Sequence, residues 1–188
     1  AAVGTVVVVG TGGVGMNAVQ GASLAGARYV IALDPVEFKR EQSQQFGATH
    51  AVGTVEEAQA LLGELTWGRN AEKVIVTVGE GKGADVGTYM GMVAKGGKLV
   101  FTSVADMNAN DVTLNLFDLA MQQKSLVGTI FGSANPRYDI PRLLGLYRSG
   151  QLKLDELITR TYRLEDINEG YQDMRDGKNI RGVIVYGS

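Results

Sequence analysis

The residues with the clearest chemical reading are Gly10-Thr11-Gly12-Gly13-Val14-Gly15, which hold glycines at G-x-G-x-x-G spacing directly after the apolar run Thr5-Val6-Val7-Val8-Val9. Gly10 permits a sharp strand-to-helix turn, Gly12 has no side chain to keep a ligand from the backbone, and Gly15 lets a helix lie close to a sheet. Free N–H groups at such a helix start, with the positive end of its dipole, bind a diphosphate. Spacing alone is weak in a chain with 26 glycines. Here three conditions coincide: a buried-strand run before the motif, a helix pattern after it, and Asp34 closing the next strand run 19 residues beyond Gly15. A carboxylate there accepts hydrogen bonds from adenosine ribose hydroxyls and repels a 2′-phosphate, so the expected ligand is NAD rather than NADP. Lys39 and Arg40 complicate that preference, because a nearby cation tolerates the phosphate. The bland alternatives are a plain tight turn at the glycines and a strand-end aspartate before Pro35.

The elements that would position these groups alternate along the chain. Strands are expected at 5–9, 29–33, 50–52, 73–78, 98–104 and 126–131, from β-branched or apolar runs bounded by turn residues. Helices are expected at 14–24, 37–46, 56–65, 84–93 and 116–121. This order predicts an α/β fold, a doubly wound parallel six-stranded Rossmann sheet with helices on both faces. Residues 138–188 differ in character, with helices at 140–147 and 164–174, a mixed stretch at 154–162 and a strand at 181–186. The dinucleotide-binding domain is therefore taken as residues 1–137. The segment 138–188 is taken to complete that unit and return to a further, catalytic domain.

Composition narrows the function class. Lys+Arg 18 against Asp+Glu 20 gives a net charge of -2, which argues against nucleic acid and against an anionic membrane surface. No apolar run is long enough to span a bilayer and no signal-peptide pattern opens the sequence, so a cytoplasmic location is expected. The chain has no cysteine and one histidine, so no disulfide, thiolate nucleophile or transition-metal site is expected within it. His50 reads as a strand-start residue, Trp67 and the tyrosines are too scattered for a base-stacking platform, and Met90 and Met92 read as core.

With these residues in view, the sequence resembles the zinc-type medium-chain alcohol dehydrogenases, and specifically their NAD-binding domain. The likeness rests on the glycine motif, Asp34 with Lys39 five residues on, Phe46-Gly47-Ala48-Thr49 and Gly128-Thr129-Ile130-Phe131-Gly132. Ile167-Asn168-Glu169-Gly170 and Gly177-Lys178-Asn179-Ile180-Arg181 carry it to the C-terminus, and Asp34 to Lys39 is similar to an actinobacterial-type subgroup. The resemblance implies Gly12, Gly13 and Val14 beneath the pyrophosphate, and Asp34 and Lys39 at the adenosine ribose. It implies Thr77 and Val78 along the cofactor path, and Thr102, Ser103, Thr129 and Phe131 offering backbone groups to the nicotinamide carboxamide. It also implies Arg181 pairing with the pyrophosphate, a homodimer through the edge strand 126–131, and zinc held only in a separate catalytic domain.

The leading expectation is the cofactor portion of an NAD-dependent, zinc-assisted alcohol or aldehyde oxidoreductase, inactive as this chain alone. A stand-alone NAD(H)-sensing regulatory module is the alternative. An S-adenosylmethionine methyltransferase shares the glycine turn and the acidic strand end, but lacks the wider match.

Overall fold

Five consecutive β-branched residues favour a pleated strand over a helix, and Thr5–Val9 forms β1 with every residue buried. The chain is described by a computed structural model covering residues 4–187. It contains two compact units that meet in sequence between Ala134 and Asn135. The break falls just before the expected boundary at 137.

In the first unit β1 is followed by α1 (Gly13–Leu24), β2 (Tyr29–Leu33), α2 (Glu37–Gln45), β3 (His50–Val52) and α3 (Val55–Thr66). Then come β4 (Ala71–Val76), α4 (Gly83–Gly91), β5 (Val93–Phe101), α5 (Leu116–Met121) and β6 (Ser125–Gly128). The six strands form one parallel sheet in the order β3-β2-β1-β4-β5-β6. This is the doubly wound order, which reverses direction between β1 and β4 and opens a crevice above their carboxyl ends.

Period-two alternation sends neighbouring residues of β1 to opposite faces. Val7 and Val9 join Ile31, Val74 and Leu99 in a core completed by Ala58 and Leu62 of α3 and Val86 and Met90 of α4. Val6 and Val8, on the other face, are equally buried, as are Met16 and Val19 of α1. A strand buried on both faces reads as an unbroken apolar run, which is why β1 and β2 match their sequence expectation residue for residue.

Four strand expectations need correction, one of them in the second unit, where the strand expected at 181–186 ends at Ile184. β4 runs from Ala71 to Val76 rather than 73–78, because Thr77 turns its hydroxyl onto the strand-end carbonyls of Val9 and Gly10. β5 runs from Val93 to Phe101 rather than 98–104: buried Val93 already pairs with Ala71 of β4, and Thr102, Ser103 and Val104 lie beyond the strand. β6 stops at Gly128 rather than at Phe131. Phe131, Gly132 and Ser133 have φ of 48°, 66° and 55°, a left-handed run that cannot continue a strand.

The second unit holds α6 (Pro136–Arg148), β7 (Ile158–Tyr162), α7 (Ile167–Arg175) and β8 (Arg181–Ile184). β7 and β8 pair in parallel as a separate two-stranded sheet. No helix among the described residues is long and apolar enough to cross a membrane.

Candidate functional site

The glycine turn joins the end of β1 to α1. Gly10 has φ of 84°, a conformation that excludes most side chains, and a Cβ there would also sit 3.0 Å from the Val78 nitrogen. A Cβ on Gly15 would lie 1.9 Å from the Gly10 carbonyl oxygen, so the close seating of α1 on the turn depends on glycine. Gly12 contrasts with both: nothing lies within 4 Å of its added Cβ. It is the N-cap of α1 and has no side-chain cap, and no acidic residue stands in the first turn. The first N–H groups of the helix therefore have no partner within the helix.

Asp34 lies just beyond β2 and is buried. Its Oδ2 accepts the Thr11 backbone N–H at 2.7 Å and the Thr11 hydroxyl at 3.1 Å, and its Oδ1 accepts the Val36 N–H at 3.0 Å. Arg40, whose charge complicates the choice of nucleotide, donates one guanidinium N–H group to the carbonyls of Asp34 (3.0 Å) and Pro35 (2.8 Å). It clamps the turn that carries the carboxylate. Lys39 sits beside it in the first turn of α2, half-buried.

Beyond the glycine turn, the carboxyl ends of β4, β5 and β6 open onto a cleft of about 950 Å³. It brings together Val14, expected beneath the pyrophosphate, Thr77 and Val78, expected along the cofactor path, and Thr102, Ser103, Thr129 and Phe131, expected at the carboxamide, with apolar walls from Ala18, Ile75 and Val100. The hydroxyls are not equivalent. Thr77 bonds the Val9 and Gly10 carbonyls, Thr102 bonds the Val76 carbonyl at 2.9 Å, and Thr129 pairs with Ser133 at 2.8 Å. Ser103 Oγ is buried with no partner. An orphaned polar atom beside an open cleft fits a ligand that carries its own donors and acceptors. The left-handed run at Phe131 to Ser133 borders the same cleft.

Arg181 is an exposed residue at the start of β8 in the second unit. His50 opens β3 with Nδ1 2.9 Å from the Thr49 hydroxyl and its ring edge-on to Tyr29. Among the described residues no group of three or more His, Cys, Asp or Glu could hold a metal ion. Sequence reasoning missed Thr11 and the clamp made by Arg40. A hydroxyl-bearing residue between the first two glycines was the available signal for the first. Nothing in the sequence marked the second.

The family model described as zinc-binding dehydrogenase matches residues 13–149. The chain belongs to this family. Alcohol dehydrogenase B of Mycobacterium tuberculosis is 54% identical over 181 residues, covering 96% of this chain and 48% of that protein. NDMA-dependent alcohol dehydrogenase of Amycolatopsis methanolica is 52% identical over 182 residues, with 97% and 49% covered. The chain thus spans about half the length of the curated relatives it matches. The crystal structure of benzyl alcohol dehydrogenase from Acinetobacter calcoaceticus superposes with a TM-score of 0.87 at 26% identity, over 98% of this chain and 50% of that one. A zinc-binding-domain protein from Burkholderia ambifaria, at 24% identity and a TM-score of 0.88, shows the same fold. Within zinc-binding dehydrogenases, this chain corresponds to the NAD-binding half, and these matches favour a dehydrogenase over a stand-alone sensing module.

Proposed function

We propose that the parent protein is an NAD-dependent, zinc-assisted alcohol or aldehyde oxidoreductase, and that this chain supplies its cofactor grip. The observation that carries this reading is the open space over Gly12 at an uncapped helix start, one residue from the Thr11 contact to buried Asp34. The diphosphate would lie over Gly12, Gly13 and Val14, with Gly10 and Gly15 shaping the turn. The adenosine ribose would meet Asp34 and Lys39. The cleft would receive the nicotinamide, Thr77 and Val78 forming its near wall. Thr102, Ser103, Thr129 and Phe131 would hold the carboxamide. Bound NAD supplies the hydride acceptor of the reaction. The residues of the chain orient the ring, exclude water from one side through Val14, Val78 and Val100, and keep a 2′-phosphate out with the Asp34 charge. The C-terminal unit would complete this half and lead back to the catalytic domain.

A homodimer belongs to the same reading. β6 is bonded to β5 and forms one edge of the sheet, and Leu126, Val127, Ile130 and Phe131 along and after it are exposed. An apolar edge strand without proline is a template for pairing unless it is covered.

Titration of this chain with NADH, followed by nicotinamide fluorescence, tests the core of the proposal. Saturable binding at micromolar concentration, with NADPH at least about ten-fold weaker, is the expected outcome. Absence of any NADH binding would overturn it.

A further inference from the structure

Asp34 is 4% exposed, and its three donors are all neutral: the Thr11 N–H, the Thr11 hydroxyl and the Val36 N–H. Arg40, on α2, is turned onto backbone carbonyls instead. A carboxylate offers about four lone-pair sites. Both contacts to Oδ2 come from Thr11, so the remaining acceptor capacity lies on Oδ1. Thr11 itself is 0% exposed, which places its side chain out of reach of any ligand.

We infer that Thr11 is a positioning residue that sets nucleotide selectivity: its hydroxyl and N–H lock Oδ2 of Asp34 and leave Oδ1 as the oxygen presented to the ribose. The inference rests on the NAD reading above and deepens it. With Oδ2 locked, the carboxylate cannot swing aside, so the negative charge stays where a 2′-phosphate would have to sit. The lock also ties the ribose contact to the glycine turn. The Thr11 N–H points at Asp34 and is not available to a diphosphate, which must be met by the N–H groups that follow it.

The test uses the full chain and its Thr11→Val, Thr11→Ala and Thr11→Ser variants, titrated with NADH and with NADPH. Valine replaces the hydroxyl by a methyl group of similar size and keeps the backbone N–H; alanine guards against a variant that fails to fold. Loss of one hydrogen bond to a charged group predicts NADH binding weaker by roughly 3- to 30-fold in the valine and alanine variants. NADPH binding should change less than about two-fold, so the NADPH-to-NADH ratio of dissociation constants falls, and serine restores it. Equal weakening of both nucleotides, or an unchanged ratio, overturns the inference and leaves Thr11 a structural residue. Wild-type chain that binds neither nucleotide would instead overturn the NAD reading itself.

Discussion

Gly12 and Gly15 stand three residues apart in one turn, and the fold uses them in opposite ways. A methyl group on Gly15 would meet the Gly10 carbonyl oxygen at 1.9 Å, a backbone atom that cannot move aside without opening the turn. Gly15→Ala is therefore expected to destabilise the chain by about 3 kcal/mol or more, read as a lower melting temperature. A methyl group on Gly12 meets nothing within 4 Å, and its φ of -73° suits any residue. Gly12→Ala should keep the melting temperature within the shift of about 0.5 kcal/mol typical of surface changes. Its NADH affinity should still fall at least about ten-fold, because the added carbon stands where the diphosphate must approach. If both variants lost stability and affinity together, the distinction between a packing glycine and a ligand-facing glycine would be wrong.

At the scale of elements, α3 and the β7–β8 sheet carry testable local devices. Thr54 accepts the Glu57 N–H at 3.2 Å, and Glu57 accepts the N–H of Gly53, one residue before the cap, at 2.7 Å; together they fix where α3 starts. Thr54→Ala should cost about 1 kcal/mol in a denaturant titration and leave NADH affinity unchanged. In the second unit buried Asp173 accepts from Arg160 at 2.6 Å and from the Tyr162 hydroxyl at 3.0 Å, with Lys178 3.4 Å away. Burial pushes the Asp173 carboxyl upward, but the Tyr162 hydrogen bond and the Arg160 and Lys178 charges outweigh it and hold it below its ordinary value. The fold therefore favours the ionised form. Its contribution is fully present above the ordinary carboxylate range and is lost as pH falls through the lowered value. Thermal melts from pH 7 down to about pH 3 should show an acid-side loss that is smaller in Asp173→Asn; equal acid loss in both proteins would remove Asp173 from the account.

The whole molecule adds the question of assembly. If the β6 edge is covered by a second copy, light scattering should give twice the 20.0 kDa chain mass at micromolar concentration. A lysine on the edge opposes strand pairing, so Val127→Lys should return the mass to that of one chain. A monomeric wild-type chain would count against the dimer without touching the NADH prediction, because β4 and β5 lie between that edge and the glycine turn at the end of β1.

The succession of elements, the fold class and the glycine turn were legible in the sequence because they depend on local patterns. The unbroken valines of β1 and the apolar run of β2 require burial on both faces, and a G-x-G-x-x-G between strand and helix leaves few other conformations. Family membership was legible for a similar reason, since its motifs are short contiguous runs such as Gly128 to Gly132. Tertiary structure alone decided where β4, β5 and β6 end. Hydropathy continues past each end, whereas hydrogen bonding from Thr77 and the left-handed φ angles at Phe131 to Ser133 do not. It alone turned Arg40 from a candidate phosphate contact into a clamp on two carbonyls, and joined Thr11 to an aspartate 23 residues away. Such contacts depend on where two strands lie side by side, and no spacing along the chain encodes that distance.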